Sequence, residues 1–213
     1  MLVRQCMATD VVTVQEDTPV SEALQMMKQR RIRKLPVMRG DKLVGIVTDR
    51  DLRDITPSKA TSLDVWELNY LLAKLTVKDA MVPNPVTIGP DESVAKAALL
   101  MQENHFECLP VVDHAELVGI VTESDVFRSF VTLSGVRDGG VEIVLELEDR
   151  SGTLKDVGNI IREHGLKIRS ILCHYEGVKV GYRHVSFRVM GEDVGSLVER
   201  LQGTHKVIGV STD

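Results

Sequence analysis

"LVGIVTDRD" (residues 43–51) decides the fold, because residues 117–125 read "LVGIVTESD". Each stretch begins as an apolar, β-branched run of strand type with one glycine inside, then breaks into a hydroxyl and carboxylates. Displacing the chain by 74 residues brings residues 7–52 onto 81–126 without a gap, and seventeen of those 46 positions are identical. The identities include Met7/Met81, Val12-Thr13 with Val86-Thr87, Asp17/Asp91, "LPV" at 35–37 and 109–111, and Asp51/Asp125. Agreement of that density at one offset marks a tandem duplication.

Both copies predict the same elements. "VVTV" and "PVTI" are extended. "EDTPVSEALQMMKQRR" is a helix, with Thr18 as the expected N-cap, Pro19 at the first helical position, and Val20, Ala23, Leu24 and Met27 on one face. "LPVM" and "LVGIVT" are strands joined by a tight turn at residues 39–41, and "DRDLRDI" opens a second helix. One strand–helix–strand–strand–helix unit cannot close its own core, whereas two can pack sheet against sheet. Between the copies, Val65, Leu68, Leu71, Leu72 and Leu75 form an apolar helical stripe beside the single tryptophan, Trp66, which predicts a connecting helix.

After Phe130 the pattern changes. "LSGVRDGG" (133–140) is Gly-rich and charged, as linkers are. From Val141, "VEIVLELE" alternates apolar and acidic residues, "TLKDVGNIIREHGL" is an amphipathic helix, and "KIRSILCHYE" and "GYRHVSFRVM" are a strand pair. "EDVGSLVERLQG" is a further helix and "HKVIGVSTD" a last strand, so the order is the βαββαβ of a ferredoxin-like unit.

Bulk composition narrows the function. Of 213 residues, 43% are hydrophobic and 27% charged, an ordinary globular balance, and with 4% aromatics the core has to be aliphatic. A formal charge of −5 argues against nucleic acid, whose phosphates need a basic face. Cys6, Cys108 and Cys173 are odd in number and far apart, which fits reduced thiols in a cytoplasmic protein rather than a disulfide framework or a metal motif. No signal peptide and no apolar window near ~20 residues is present, so no membrane association is expected. His174 and His184 can face each other across a hairpin but lack a third ligand. Without a nucleophile–base pair, P-loop or GxGxxG, neither catalytic nor metal-binding residues are expected.

The repeated "LVGIVTxxD" with its upstream "LPV" resembles the cystathionine-β-synthase (CBS) domain, and the tandem resembles a CBS pair, or Bateman module. "LEDRSGTL" (147–154) resembles the strand-to-helix loop of an ACT domain. The order of the two is similar to that of the acetoin-utilisation protein B family. The resemblance implies an α+β protein with a tandem CBS-domain pair over 1–132 and a ferredoxin-like βαββαβ (ACT-like) domain over 141–213, joined by a linker at 133–140. Within the pair, repeat one covers 1–56, the connecting helix 62–76 and repeat two 77–132. The resemblance also implies a homodimeric regulatory sensor rather than an enzyme, with no resident cofactor. Its ligand would be AMP, ADP, ATP or another adenosyl compound, its protein partner is unidentified, and its setting would be acetoin or other carbon catabolism. A dimeric adaptor with vestigial pockets is the alternative.

In CBS pairs the Thr and Asp of the motif bind ribose and phosphate, roles that fall here on Thr48 and Asp51 and on Thr122 and Asp125. The chemistry fits: a carboxylate can accept two hydrogen bonds from a ribose diol, each worth about 1.5–3 kcal/mol, and a hydroxyl with free amides at a helix start suits a phosphate. Thr-x-x-Asp is also a capping-box pattern, and the two uses can coexist. Copy one carries Arg33, Lys34 and Arg50 where copy two has Glu107, Cys108 and Ser124. The Thr48/Asp51 site is therefore expected to be the stronger for charged nucleotides, with Glu107 repelling phosphate at the other. Val11-Val12 and Pro85-Val86 either line an adenine pocket or are plain core strand. The nucleotide candidates are Val12, Arg33, Lys34, Pro36, Thr48, Arg50 and Asp51 with Val86, Pro110, Thr122 and Asp125. In the ACT-like part, Asp149, Gly152, Thr153 and Leu154 would hold an amino acid at a dimer interface with Lys167 and Ile168. Gly152 suits close backbone approach. Lys167 stands where many amino-acid-binding relatives have Asn, which leaves edge-to-edge dimerisation as the firmer implication.

Overall fold

In the computed structural model, which describes residues 1–55 and 74–212, the two copies fold alike and trade parts. Copy one forms β1 (Val14–Gln15), α1 (Val20–Arg30), β2 (Lys34–Arg39), β3 (Lys42–Thr48) and α2 (Asp49–Asp54). Copy two forms β4 (Val82–Pro83), α3 (Val94–Asn104), β5 (Cys108–Asp113), β6 (Glu116–Thr122) and α4 (Glu123–Ser134). Trp66 and most of the expected connecting helix, 62–76, lie outside the described residues.

Thr18 does not cap α1. The N-cap is Pro19, which offers no side-chain acceptor; the Val20 amide instead donates to the Leu75 carbonyl at 3.0 Å, and Thr18 uses its own carbonyl to accept from Val77 at 2.9 Å. The backbone of the segment between the copies therefore takes the place of a cap. In copy two, Ser93 caps α3 with its hydroxyl, accepting from the Lys96 amide at 3.1 Å.

The exchange between copies organises the Met1–Val126 unit. β2 and β3 are an antiparallel hairpin with β1 parallel to β2. β4 belongs by sequence to copy two but pairs with β3 of copy one, Val82 opposite Ile46 and Pro83 opposite Gly45. Reciprocally, Ala8 bridges to Ile120 on β6, with amide–carbonyl bonds of 2.9 and 3.0 Å. The cores are exchanged too. Val77 is buried with Val14, Leu35, Val37 and Val47 of copy one, and Val3 with Ile88, Leu109, Val111 and Val121 of copy two. Each fully buried Val or Leu contributes about 1.5–3 kcal/mol, so neither copy has a complete core without the other's leading segment.

This exchange explains the glycine inside "LVGIVT". A Cβ on Gly45 would stand 2.5 Å from Met81 Sδ, and one on Gly119 would stand 2.5 Å from Met7 Sδ and 3.0 Å from the Ala8 carbonyl oxygen. Each strand keeps a glycine where the other copy's leading methionine and backbone cross it.

The Phe127–Asp213 unit contains β7 (Val141–Glu148), α5 (Thr153–Glu163), β8 (Lys167–His174), β9 (Tyr182–Met190), α6 (Val194–Gln202) and β10 (Lys206–Thr212). Its sheet has the order β10-β7-β9-β8, antiparallel throughout, as the βαββαβ pattern requires. Ile143, Leu145, Leu147, Val185, Phe187 and Val189 cluster with Val157 and Ile161 of α5 and Leu197 and Leu201 of α6. The Gly-rich stretch 133–140 is not a bare spacer. The Ser134 carbonyl accepts from Arg188 Nε at 3.1 Å and from the Ser170 hydroxyl at 2.7 Å, and Val136–Asp138 is a 3-10 turn. Arg188 is buried, and its guanidinium needs such acceptors.

Candidate functional site

Where β3 ends, Thr48 is extended (φ −105°, ψ 161°) and becomes the N-cap of α2. Its hydroxyl accepts from the Asp51 amide at 3.2 Å, while its own amide and hydroxyl donate to Asp51 Oδ2 at 2.9 and 2.7 Å. This capping box consumes one helix-start amide and one carboxylate oxygen; among the described residues no bond is made to Asp51 Oδ1. Thr122 and Asp125 repeat the geometry with distances of 2.9, 2.7 and 3.4 Å. A third box, Thr76 with Asp79, has the same pattern at 2.8 and 2.9 Å. There the Thr76 amide, and after it the Thr76 hydroxyl, holds the Asp79 carboxyl below the usual range. The box is thus a local backbone device, and Thr48 and Asp51 differ from Thr76 and Asp79 in what stands opposite them.

Opposite Thr48 and Asp51 is a cavity of about 340 Å³, within the range of small-molecule sites. Copy one supplies Lys34, Ile46, Thr48, Arg50 and Asp51. Copy two supplies Val82, Asn84, Pro85 and Val86 beside β4, and His105, Phe106, Glu107, Cys108 and Pro110 leading into β5. The exchanged β4 brings the first of these here: pairing with β3 sets Val82 opposite Ile46 and Pro83 opposite Gly45, and Asn84, Pro85 and Val86 line the same cavity as Thr48.

Lys34 and Glu107 join the two copies at this cavity. Lys34 Nζ lies 2.7 Å from Glu107 Oε2 and donates to the Glu107 carbonyl at 3.2 Å. The Lys34 hydrogen bond and charge, with smaller help from Arg33 and Arg50, hold the Glu107 carboxyl below its ordinary range. Burial pushes the Cys108 thiol up to about 11, so it stays protonated and acts as an apolar wall rather than a nucleophile.

Of the nucleotide candidates, Lys34, Thr48, Arg50, Asp51, Val86 and Pro110 meet in this cavity, while Val12, Arg33, Pro36, Thr122 and Asp125 do not line it. The second five are the 74-residue counterparts of Val86, Glu107, Pro110, Thr48 and Asp51. One correction follows. Glu107 was expected at Thr122/Asp125; its carbonyl does accept from the Glu123 amide beside that motif at 3.1 Å, but its carboxylate meets Lys34 and it lines the Thr48/Asp51 cavity. Ile46, Val82, Asn84, His105 and Phe106 were not anticipated. The repeat offset names their counterparts but not which copy faces which.

In the βαββαβ unit a cavity of about 420 Å³ is lined by Asp149, Arg150, Ser151, Gly152, Leu154, Lys155 and Arg183. Gly152 has φ +91°, which only glycine adopts easily. Thr153 faces inward, its hydroxyl donating to the carbonyls of Glu148 and Arg150. Lys167 and Ile168 are not brought to this loop. They pair with Met190 and Val189, at the end of the sheet holding Val141, whereas Asp149 follows Glu148 at the opposite end. His174 and His184 are cross-strand partners with ring centroids 5.2 Å apart, and His184 Nε2 is 3.5 Å from Glu146. Among the described residues no group of three His, Cys, Asp or Glu could hold a metal ion, and no helix is long and apolar enough to cross a membrane.

Comparison with known proteins places these features. The family model described as CBS domain matches residues 3–57 and 77–132. Inosine-5′-monophosphate dehydrogenase of Korarchaeum cryptofilum is 40% identical over 119 residues, which are 55% of this chain and 22% of that protein, so the chain spans about a fifth of this curated relative. Among solved structures, CBSX2 in complex with AMP is 31% identical with a TM-score of 0.53, covering 62% of this chain and 97% of that one; CBSX2 is from Arabidopsis thaliana. The CBS domain pair of protein MJ0100, in complex with 5-methylthioadenosine and S-adenosyl-L-methionine, is 28% identical with a TM-score of 0.51 over 62% of this chain and 97% of that one. A Vibrio cholerae structure assigned to acetoin utilization (AcuB) is 26% identical with a TM-score of 0.53, over 65% of this chain and 96% of that one.

Proposed function

We propose, from the premise that this chain belongs to the CBS-domain family, that its CBS pair is a sensor of adenosyl ligands seated against Thr48 and Asp51. The observation that carries this reading is the shared cavity: a hydroxyl and a carboxylate whose Oδ1 takes no bond among the described residues, with apolar lining from Val82, Pro85, Val86 and Phe106. A flat, apolar base fits the wall, and a ribose diol fits the carboxylate. AMP in CBSX2 and adenosyl compounds in MJ0100 support the ligand class.

The βαββαβ unit is an ACT-like partner domain that dimerises the chain through a sheet edge or takes a small carboxylate-bearing ligand at the Gly152 loop. The whole is a cytoplasmic regulator without chemistry of its own, acting on a protein partner, and the AcuB likeness supports a setting in acetoin catabolism. A ligand regulates only if it distinguishes two states; the walls of this cavity come from both copies, so a ligand seated there contacts both.

Thermal unfolding with AMP, ADP, ATP, methylthioadenosine and S-adenosylmethionine tests the reading. A ligand about 100-fold above its Kd adds near 2.7 kcal/mol, a shift of several degrees, and Asp51→Ala should abolish it. An adaptor with vestigial pockets would show no shift with any of them.

A further inference from the structure

We propose that Glu107 is a charge selector for the Thr48/Asp51 cavity, which by holding Lys34 tunes it to adenosyl ligands with at most one phosphate and against di- and triphosphates. The inference rests on the ligand class proposed above and names a preference within it.

Lys34 is the cation built into the wall, with its side chain 17% exposed, whereas Arg50 is 89% exposed and lies 3.7 Å from Asp54. Glu107 engages Lys34 twice, through its carboxylate and its carbonyl. The formal charges of the lining residues then cancel, Lys34 and Arg50 against Asp51 and Glu107. A polyphosphate entering here has to compete with Glu107 for Lys34 while approaching two carboxylates. A neutral thioether carries no such cost, and a cationic sulfonium is attracted. The duplication does not repeat the pair: the positions corresponding to Lys34 and Glu107 are Cys108 and Arg33. The selector is therefore particular to this half of the molecule, and it arises where the residue before copy two's β5 stands beside the lysine that opens copy one's β2.

Calorimetric titration of the full chain at low salt with methylthioadenosine, AMP, ADP, ATP and S-adenosylmethionine tests this, comparing wild type with Glu107→Gln. Glu22→Gln, at an exposed position on α1, controls for net charge. Wild-type affinity should fall from AMP to ATP. Glu107→Gln should raise ATP affinity by about fivefold, leave methylthioadenosine within about twofold and weaken S-adenosylmethionine, all less so at high salt. Lys34→Gln should weaken AMP relative to methylthioadenosine. If wild type binds ATP as tightly as AMP, or if Glu107→Gln moves every ligand alike, the selector is wrong while the adenosyl reading stands. If no adenosyl compound binds wild type, both fall.

Discussion

Asp51, Asp79 and Asp125 make the same bonds to a threonine three residues earlier, and they separate what a motif does locally from what its surroundings add. In each the carboxylate takes the threonine amide and hydroxyl, satisfying donors that a helix start leaves open. The capping use of Thr-x-x-Asp was therefore fully legible in the sequence. Which residues face the motif was not, since Val82, Asn84, Pro85 and Val86 of the other copy line the cavity at Thr48. Asp79 offers a clean test of the local part. Its folded carboxyl is held below the ordinary value, so its contribution to stability is complete above that value and is lost as pH falls through the folded one. The urea midpoint should drop on acidification below about pH 4, with a shallower drop in Asp79→Asn. Identical curves for the two proteins would mean that the box does not titrate with folding.

At the scale of elements, the duplication is kept where each copy's leading methionine crosses the other's strand and relaxed at the hairpin tips. Gly45 and Gly119 recur with Met81 and Met7 because each pair makes one crossing. Gly119→Ala should destabilise by about 1–3 kcal/mol in urea titrations. It should cost more than Gly45→Ala, because the Ala8 carbonyl stands at 3.0 Å where Val82 stands at 3.2 Å. Met7→Ala in the Gly119→Ala background should recover part of the loss, and strict additivity would exclude the contact as the cause. The hairpin tips have diverged. Gly40 has φ +60°, but its counterpart His114 and the next residue, Ala115, have φ 46° and 71°. A left-handed non-glycine residue costs roughly 1–2 kcal/mol, so Ala115→Gly should raise the urea midpoint by about 1 kcal/mol of stability once the greater freedom of glycine in the unfolded chain is offset. The strand and helix pattern was readable from periodicity. The start of α1 was not, because its first amide is bound by Leu75, whose carbonyl is distant in sequence.

The whole molecule divides into Met1–Val126 and Phe127–Asp213, each with its own buried clusters. Scanning calorimetry should resolve two transitions, and AMP should raise only the one belonging to Met1–Val126; a single transition, or a shift in both, would contradict separate cores. The sequence by itself determined the duplication, the element order of both copies, the βαββαβ order that follows and the chemical class of Thr48 and Asp51. These are written in local periodicity and in similarity at a fixed offset. Only the tertiary structure decided which wall meets which motif. A repeat is symmetric under exchange of its copies, so the offset between Val12 and Val86 is the same whichever one faces Thr48. The pairing of β4 with β3, made by backbone hydrogen bonds that any residue can form, breaks that tie.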